Sequence, residues 1–162
     1  MQSFSIRLDK EYHVFSAAHF ITFNGNVCER LHGHNYRVLA EVEGPLDENA
    51  YVIDFIAVRD ELKLIVDELD HRVLLPTGHP LIKVVADDRE VTATFEDRRW
   101  VFPRGDCVLL PVTNTTAELL ARLIGLRLLD ALQKRLGQRP AHLRVAVDEN
   151  HGQWGVCDLR DE

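Results

Sequence analysis

Three histidines and one cysteine fall within sixteen consecutive positions: His19, Cys28, His32 and His34. The last three form Cys-x-x-x-His-Gly-His, read as CERLHGH. Three imidazoles are a usual ligand set for a catalytic zinc, which keeps a fourth position open for water or substrate. His32 and His34 are two apart, and the residues after them, Asn35 to Val42, alternate as a strand does. Side chains at i and i+2 of a strand face the same side. His32, His34, Tyr36, Val38 and Ala40 are therefore expected on one face, with two imidazoles reaching one ion. His19 closes an earlier apolar run that starts at Tyr12. A hairpin between that run and the strand after His34 would set the third imidazole alongside. The plainer alternative is a group of ordinary histidines in a loop-rich hairpin. The spacing also leaves Cys28 open as a ligand, because thiolates bind zinc well. Three imidazoles already complete a set, however, which leaves the thiol free to react.

The elements that must position these groups can be read from periodicity. Residues 4–20 and 35–43 read as two strands, the second ended by Gly44-Pro45. Asp54 can cap a helix from Phe55, since a short carboxylate accepts from the free amides of the first turn. Phe55, Val58, Leu62, Ile65, Val66 and Leu69 follow at helical spacing. A second helix is expected near Thr115, where Thr115-Thr116-Ala117-Glu118 has the form of a capping box. Its apolar arc, from Leu119 to Leu132, is wide enough to predict burial between layers. Gly137 is placed to end it. Leu143, Val145 and Val147 alternate with Arg144, Ala146 and Asp148 in a strand that ends at Glu149. A turn at 150–153 then leads into a final strand over 154–159.

Residues 84–111 fit neither helix. Short β-like runs at Val91–Phe95, Trp100–Phe102 and Cys107–Leu110 are separated by turns at Asp97-Arg98 and at Pro103–Asp106. They predict an inserted β-meander, without histidine, on the periphery. The expected fold is thus α+β: a four-stranded antiparallel sheet with two helices on one face, in the order β-β-α-α-β-β, plus the meander between the helices.

With 162 residues, 46% of them hydrophobic and 28% charged, the chain suits one domain spanning 1–162. A formal charge of −7 opposes nonspecific binding of nucleic acid. No long apolar run suggests a membrane span, and no leader is expected. Three scattered cysteines do not form a disulfide framework, so a reducing cytoplasm is the expected setting.

Three further places carry chemistry. Asp70-His71 follows the first helix and could act as an acid–base pair, although a cationic histidine is also favoured at a helix C-terminus. Glu149 shares the inward parity of Leu143, Val145 and Val147, and a buried carboxylate needs a donor. That donor is either an arginine or a ligand with N–H groups. Thr115 and Thr116 are caps that could also touch a ligand.

Taken in order, these residues resemble the 6-pyruvoyltetrahydropterin synthase and 6-carboxytetrahydropterin synthase family. Phe15-Ser16-Ala17-Ala18-His19 is similar to its first zinc-ligand motif, and Cys28 to Tyr36, CERLHGHNY, to its signature. Val52-Ile53-Asp54-Phe55, Leu69-Asp70-His71-Arg72, Thr115-Thr116-Ala117-Glu118 and Glu149 resemble later family segments. Residues 84–111 are longer than the family's loop.

The resemblance implies the tunnelling fold, in which subunits join their sheets into stacked barrels, usually as a homohexamer. It implies zinc on His19, His32 and His34, Cys28 as base, Asp70 and His71 as proton relay, and Glu149 as pterin anchor. Thr115 and Thr116 would flank the pterin. The implied activity is a zinc-dependent lyase acting on 7,8-dihydroneopterin triphosphate. The product is 6-carboxytetrahydropterin, on a route to deazapurines, or 6-pyruvoyltetrahydropterin. A zinc hydrolase of the three-histidine type, with Glu149 or Glu29 as base, and a non-catalytic pterin-binding homologue are the alternatives.

Overall fold

The computed structural model describes residues 2–161. The chain runs through β1 (Phe4–Leu8), β2 (Val14–His19), β3 (Thr22–Phe23), β4 (Val27–Cys28) and β5 (His32–Gly44), then α1 (Phe55–Leu69). There follow β6 (Arg72–Pro76), β7 (Lys83–Ala86), β8 (Glu90–Phe95), β9 (Arg98–Pro103) and β10 (Cys107–Leu110). The last elements are α2 (Ala117–Leu136), β11 (His142–Asp148) and β12 (Trp154–Arg160).

β2, β5, β11 and β12 lie side by side, each antiparallel to the next. This is the expected four-stranded sheet, but it is only the middle of a larger, mixed one. β6 adds parallel to β2 and β10 parallel to β6. A helical crossover returns a chain to the same end of a sheet, so a strand after it can run parallel to an earlier one, as β6 does after α1. The stretch 4–20 is two strands. Both pair with the same edge of β5, with Leu8 opposite Ala40 and Val14 opposite Arg37. Residues 9–13 bulge between them.

The meander exists as β7-β8-β9, an antiparallel sheet of its own. It is shorter than the expected 84–111. After β9 the chain leaves through a single 3-10 turn, Arg104–Asp106, and Cys107–Leu110 joins the main sheet. The turn expected at Asp97-Arg98 sits one residue earlier, with Glu96 taking a left-handed backbone (φ +51°). Arg98 thereby becomes the first residue of β9.

Two cores result. The larger lies between the main sheet and the two helices and includes Tyr36, Val38, Leu62, Leu69, Leu120, Ile124 and Val145. The smaller lies under the meander: Phe20, Leu75, Ile82, Val91, Ala93, Phe95 and Cys107. The meander is therefore not an appendage, because its inner face covers Phe20, the residue after His19.

The helix ends follow mostly from the caps. The Asp54 carboxylate accepts from the Ile56 amide at 2.8 Å. Phe55 is half exposed and not part of the apolar face. The cap of α2 is Thr116, whose hydroxyl accepts from Leu119 N, and not Thr115 of the expected capping box. Gly137 ends α2 in the left-handed region (φ +67°). Gly155 of β12 fixes where α2 begins. A Cβ there would sit 2.5 Å from the backbone of Ala117 and Glu118, so only glycine lets the strand pass that close.

Candidate metal centre and catalytic site

His19, last residue of β2, stands directly opposite His32, first residue of β5. The pleat puts His34 and Tyr36 on the same face. Ring centroids are 4.9 Å apart for His19–His32, 5.3 Å for His19–His34 and 4.8 Å for His32–His34. One nitrogen from each ring lies within 4.8 Å of the others. Tyr36, fully buried and stacked on Phe15, lies beside both His19 and His34.

For two of the three rings, hydrogen bonds fix which nitrogen faces the centre. His19 Nδ1 is 2.9 Å from the Thr115 carbonyl oxygen, and His32 Nδ1 is 2.8 Å from that of Arg30. A carbonyl only accepts, so each Nδ1 carries the proton and each Nε2 presents a lone pair. Backbone carbonyls behind ligand imidazoles are the usual way a metal site orients its rings. His19 Nε2 is buried and makes no hydrogen bond. Leaving such an atom unpaired is costly, and a bound cation removes the cost. Burial also draws the His19 pKa down to about 4, so the ring is a neutral ligand at physiological pH. The donor set and its tautomers fit zinc.

Glu149 reaches this cluster. Its Oε1 is 3.3 Å from His19 Nε2 and 3.6 Å from His34 Nε2. Burial keeps the His19 ring neutral, so the His19 contact is not an ion pair. Asp148 builds the turn that holds Glu149. Its carboxylate accepts from the amides of Gly152 and Gln153, and His151 and Gly152 take positive φ.

Cys28 sits on a hairpin of two-residue strands, opposite Thr22. Its Sγ is 3.6 Å from the Glu29 carbonyl oxygen. Burial pushes the thiol pKa up, and the Arg98 guanidinium opposes that shift. The Glu29 carboxylate accepts from Ile21 N at 2.8 Å and lies 3.7 Å from His32 Nε2.

Asp70 and His71 are tied to the middle of β2, at Ser16. The Asp70 carboxylate accepts from Ser16 N at 2.7 Å and from His71 Nδ1 at 2.8 Å. The Ser16 bond is the main reason its pKa lies below the usual carboxylate value. His71 has a left-handed backbone (φ +56°), held by a 2.6 Å bond from its amide to the Ser16 carbonyl. A β-branch-free but bulky residue in that region is strained by about 1 kcal/mol. The imidazole is exposed, with Nδ1 bonded to the carboxylate. A cleft of about 460 Å³ gathers Ser16, Gly33, His34, Asn35, His71 and Asp106. Cys28 and Glu149 do not line it. Within one chain no hydrogen bond joins Cys28 to Asp70-His71 among the described residues.

Thr115 is completely buried, and its carbonyl and hydroxyl oxygens both lie within hydrogen-bond distance of His19 Nδ1. It lies behind a histidine of the cluster, while Thr116 caps α2. Three residues that the sequence reading did not single out help to build the site: Asp148, Arg98 and His79. An aspartate four residues before a glycine was a usable signal for Asp148. Nothing local marked Arg98 or His79, which act on a hairpin remote in sequence.

No described helix is long and apolar enough to cross a membrane. The family description 6-pyruvoyl tetrahydropterin synthase matches residues 7–159. A putative 6-carboxy-5,6,7,8-tetrahydropterin synthase of Methanocaldococcus jannaschii is 34% identical over 145 residues, covering 88% of this chain and 87% of the relative. The 6-pyruvoyl tetrahydropterin synthase of Plasmodium falciparum superposes with a TM-score of 0.91 at 27% identity, covering 99% of this chain and all of that one. A Plasmodium vivax 6-pyruvoyltetrahydropterin synthase in which a catalytic glutamate is replaced by alanine superposes with a TM-score of 0.90 at 26% identity, with the same coverage. A match from residue 7 to residue 159 takes in every element from β2 to β11 and all the residues of the histidine cluster, and the chain belongs to the 6-pyruvoyl tetrahydropterin synthase family.

Proposed function

We propose that this tetrahydropterin synthase is a zinc-dependent lyase that converts 7,8-dihydroneopterin triphosphate to 6-carboxy- or 6-pyruvoyl-tetrahydropterin with loss of triphosphate. The observation that carries the reading is the unpaired, buried Nε2 of His19 converging with His32 and His34. His19, His32 and His34 would hold the zinc, which when bound supplies Lewis acidity to oxygens on the substrate side chain. The archaeal relative named as a 6-carboxytetrahydropterin synthase favours the 6-carboxy product.

The protein's own residues then divide the work. Cys28, as thiolate, takes the proton from the substrate side chain. Glu149 accepts hydrogen bonds from the pterin ring N–H and amino groups, a charge-assisted pairing stronger than a neutral one. Its turn presents the carboxylate at the edge of the histidine cluster, where a bound pterin would draw it away from His19 and His34. His71 gives and takes protons during tautomerisation. Asp70 receives the His71 Nδ1–H, so the free Nε2 is the atom that exchanges protons. Thr116, at the start of α2, would flank the pterin. Thr115 would act by holding His19.

Glu29 is a second candidate base. The P. vivax relative has a catalytic glutamate, and here Glu29 is adjacent to Cys28 and 3.7 Å from His32. Cys28→Ala and Glu29→Gln, assayed on the same substrate, distinguish the two.

We expect a homo-oligomer, a hexamer by the family resemblance, located in the cytoplasm. β12 ends the main sheet and leaves an edge for a neighbouring subunit to pair with. The deciding assay incubates the zinc-loaded protein with dihydroneopterin triphosphate and follows acetaldehyde and triphosphate. Triphosphate with acetaldehyde supports the 6-carboxy product, and triphosphate with a 6-pyruvoyl pterin supports the 6-pyruvoyl product. Neither would exclude the lyase, leaving a hydrolase or a binding protein.

A further inference from the structure

The Cys28 hairpin is too small to hold itself. Isolated two-stranded hairpins are marginal in water even when much longer than two residues a side. Its anchors come from the segment between the helices. Arg98, first residue of β9, donates from Nη1 to the Cys28 carbonyl at 2.8 Å and from Nη2 to the Glu29 carbonyl at 3.2 Å. The guanidinium is itself held over the Trp100 ring, 4.7 Å from its centroid. Trp100 stacks on Phe20 at 4.3 Å, next to His19. One planar cation therefore grips two successive carbonyls, at the residue carrying the thiol and at the one after it. A fork of fixed geometry does this; a point charge on a flexible stem does not.

On the opposite strand, His79 Nδ1 accepts the amides of Leu81 and Ile82, both at 2.9 Å. That leaves the proton on Nε2, which donates to Thr22 Oγ1 at 2.7 Å. Asn114 Nδ2 donates to the Thr22 carbonyl at 3.1 Å. Thr22 is the cross-strand partner of Cys28.

We propose that Arg98 is a positioning residue for proton abstraction: through its two backbone hydrogen bonds the meander sets where the Cys28 thiol and the Glu29 carboxylate stand relative to the three histidines. The proposal rests on the lyase reading for its kinetic arm; its chemical arm, thiol alkylation, does not need that reading. It makes the inserted meander part of the catalytic apparatus without contact to substrate. It also holds whichever of Cys28 and Glu29 is the base, since Arg98 bonds both carbonyls.

The test compares the zinc-loaded parent with Arg98→Gln, Arg98→Lys and, as a control, Arg99→Gln, whose arginine is exposed on the same strand. Zinc content, kcat and KM for dihydroneopterin triphosphate, and the rate of Cys28 alkylation by iodoacetamide against pH are measured, with peptide-resolved mass spectrometry. The charged groups facing the thiol are Arg98, Glu29 and Glu96. Removing the one cation among them moves the alkylation midpoint upward. Arg98→Gln keeps its zinc, and its kcat falls ~10- to 100-fold with KM within a few-fold, as expected for a misplaced reacting group. Arg98→Lys, with the charge but not the fork, keeps the parental alkylation midpoint and recovers only part of kcat. Arg99→Gln behaves as the parent. Parental kcat and an unmoved alkylation midpoint in Arg98→Gln overturn the proposal. So does full recovery of kcat by lysine, which would make charge alone sufficient. Should Arg98→Gln not fold, a folded Arg98→Lys with parental kcat likewise overturns it. A parent inactive on this substrate defeats the lyase reading, and the alkylation midpoints still decide whether Arg98 governs the thiol.

Discussion

The histidine cluster and the Cys28 hairpin are neighbours with opposite construction. The cluster is made by two adjacent strands in register. Once β2 and β5 pair, His19 faces His32, and the two-residue repeat puts His34 on the same side. The hairpin carrying Cys28 and leading to Glu29 has only two residues in each strand and takes its place from His79, Arg98 and Asn114, between 57 and 92 positions further along the chain. Metal affinity should therefore depend on short-range register, and proton transfer on long-range anchors. The two properties should separate under mutation.

The largest effect tests the first half. His32→Ala removes a proposed ligand that the pairing of β2 with β5 placed. Zinc occupancy should fall well below one per chain, and turnover should drop more than ~100-fold, beyond the loss seen when only a supporting group is removed. Elemental analysis still giving one zinc per chain would falsify the assignment of the cluster as the metal site.

The second half is tested by Cys28→Ala. Zinc should stay at the parental level if the three imidazoles are the ligand set. Turnover should fall at least ~100-fold, the scale of a lost general base, with little change in KM. Loss of zinc in this variant would mean that the thiol is itself a ligand, and the separation drawn here would collapse. Parental turnover would transfer the role to Glu29.

The same division explains what could be read from the sequence. His19, His32 and His34 were legible because a strand repeats every two residues, so identity and spacing carry the geometry. The caps at Asp54 and Gly137 were legible for the same reason: each acts within one turn of itself. Glu149 lies just past the end of β11, which stops at Asp148, and is half-buried, yet its carboxylate does meet the histidines. The failures share the converse cause. β6 and β10 extend the main sheet in parallel, a pairing set by how α1 returns the chain and not by any local pattern. Cys107–Leu110 has the composition of a meander strand but finds its partner in β6. Thr115 looked like a cap; the fold uses Thr116 for that and turns the Thr115 carbonyl to His19. Arg98 looked like a turn residue, and a turn one position earlier made it an anchor.

Acid probes the histidine cluster through His19. His19 is neutral in the fold, its pKa lowered from 6.5 to about 4. The unfolded chain thus binds the proton more readily, and the stability gained from keeping the ring neutral is present above pH 6.5 and lost as pH falls toward 4. The shift corresponds to roughly 3 kcal/mol in the metal-free protein. Urea unfolding of the metal-free protein at pH 7, 5.5 and 4 should show a falling midpoint, with a smaller fall in His19→Asn. Identical pH profiles for the two would remove His19 as the titrating group.

The smallest expected effect falls on β3, the strand paired with the Cys28 strand. Thr22→Val keeps the shape of β3 and deletes the hydroxyl that receives the His79 Nε2–H. His79 cannot turn its ring to compensate, since Nδ1 is held by two amides. Burial holds the ring neutral, so it does not gain a second proton to seek another acceptor. The variant is left with a mostly buried donor lacking a partner, at a cost of about 1 kcal/mol. For a chain of this length that lowers Tm by roughly 2–4 °C. The Asn114 bond to the Thr22 carbonyl and both Arg98 bonds survive, so the hairpin loosens without leaving its place. Turnover should decline only a few-fold, with zinc content unchanged. A loss of zinc in Thr22→Val would show that the hairpin's anchors also hold the metal, and the two neighbouring regions would then be one cooperative unit.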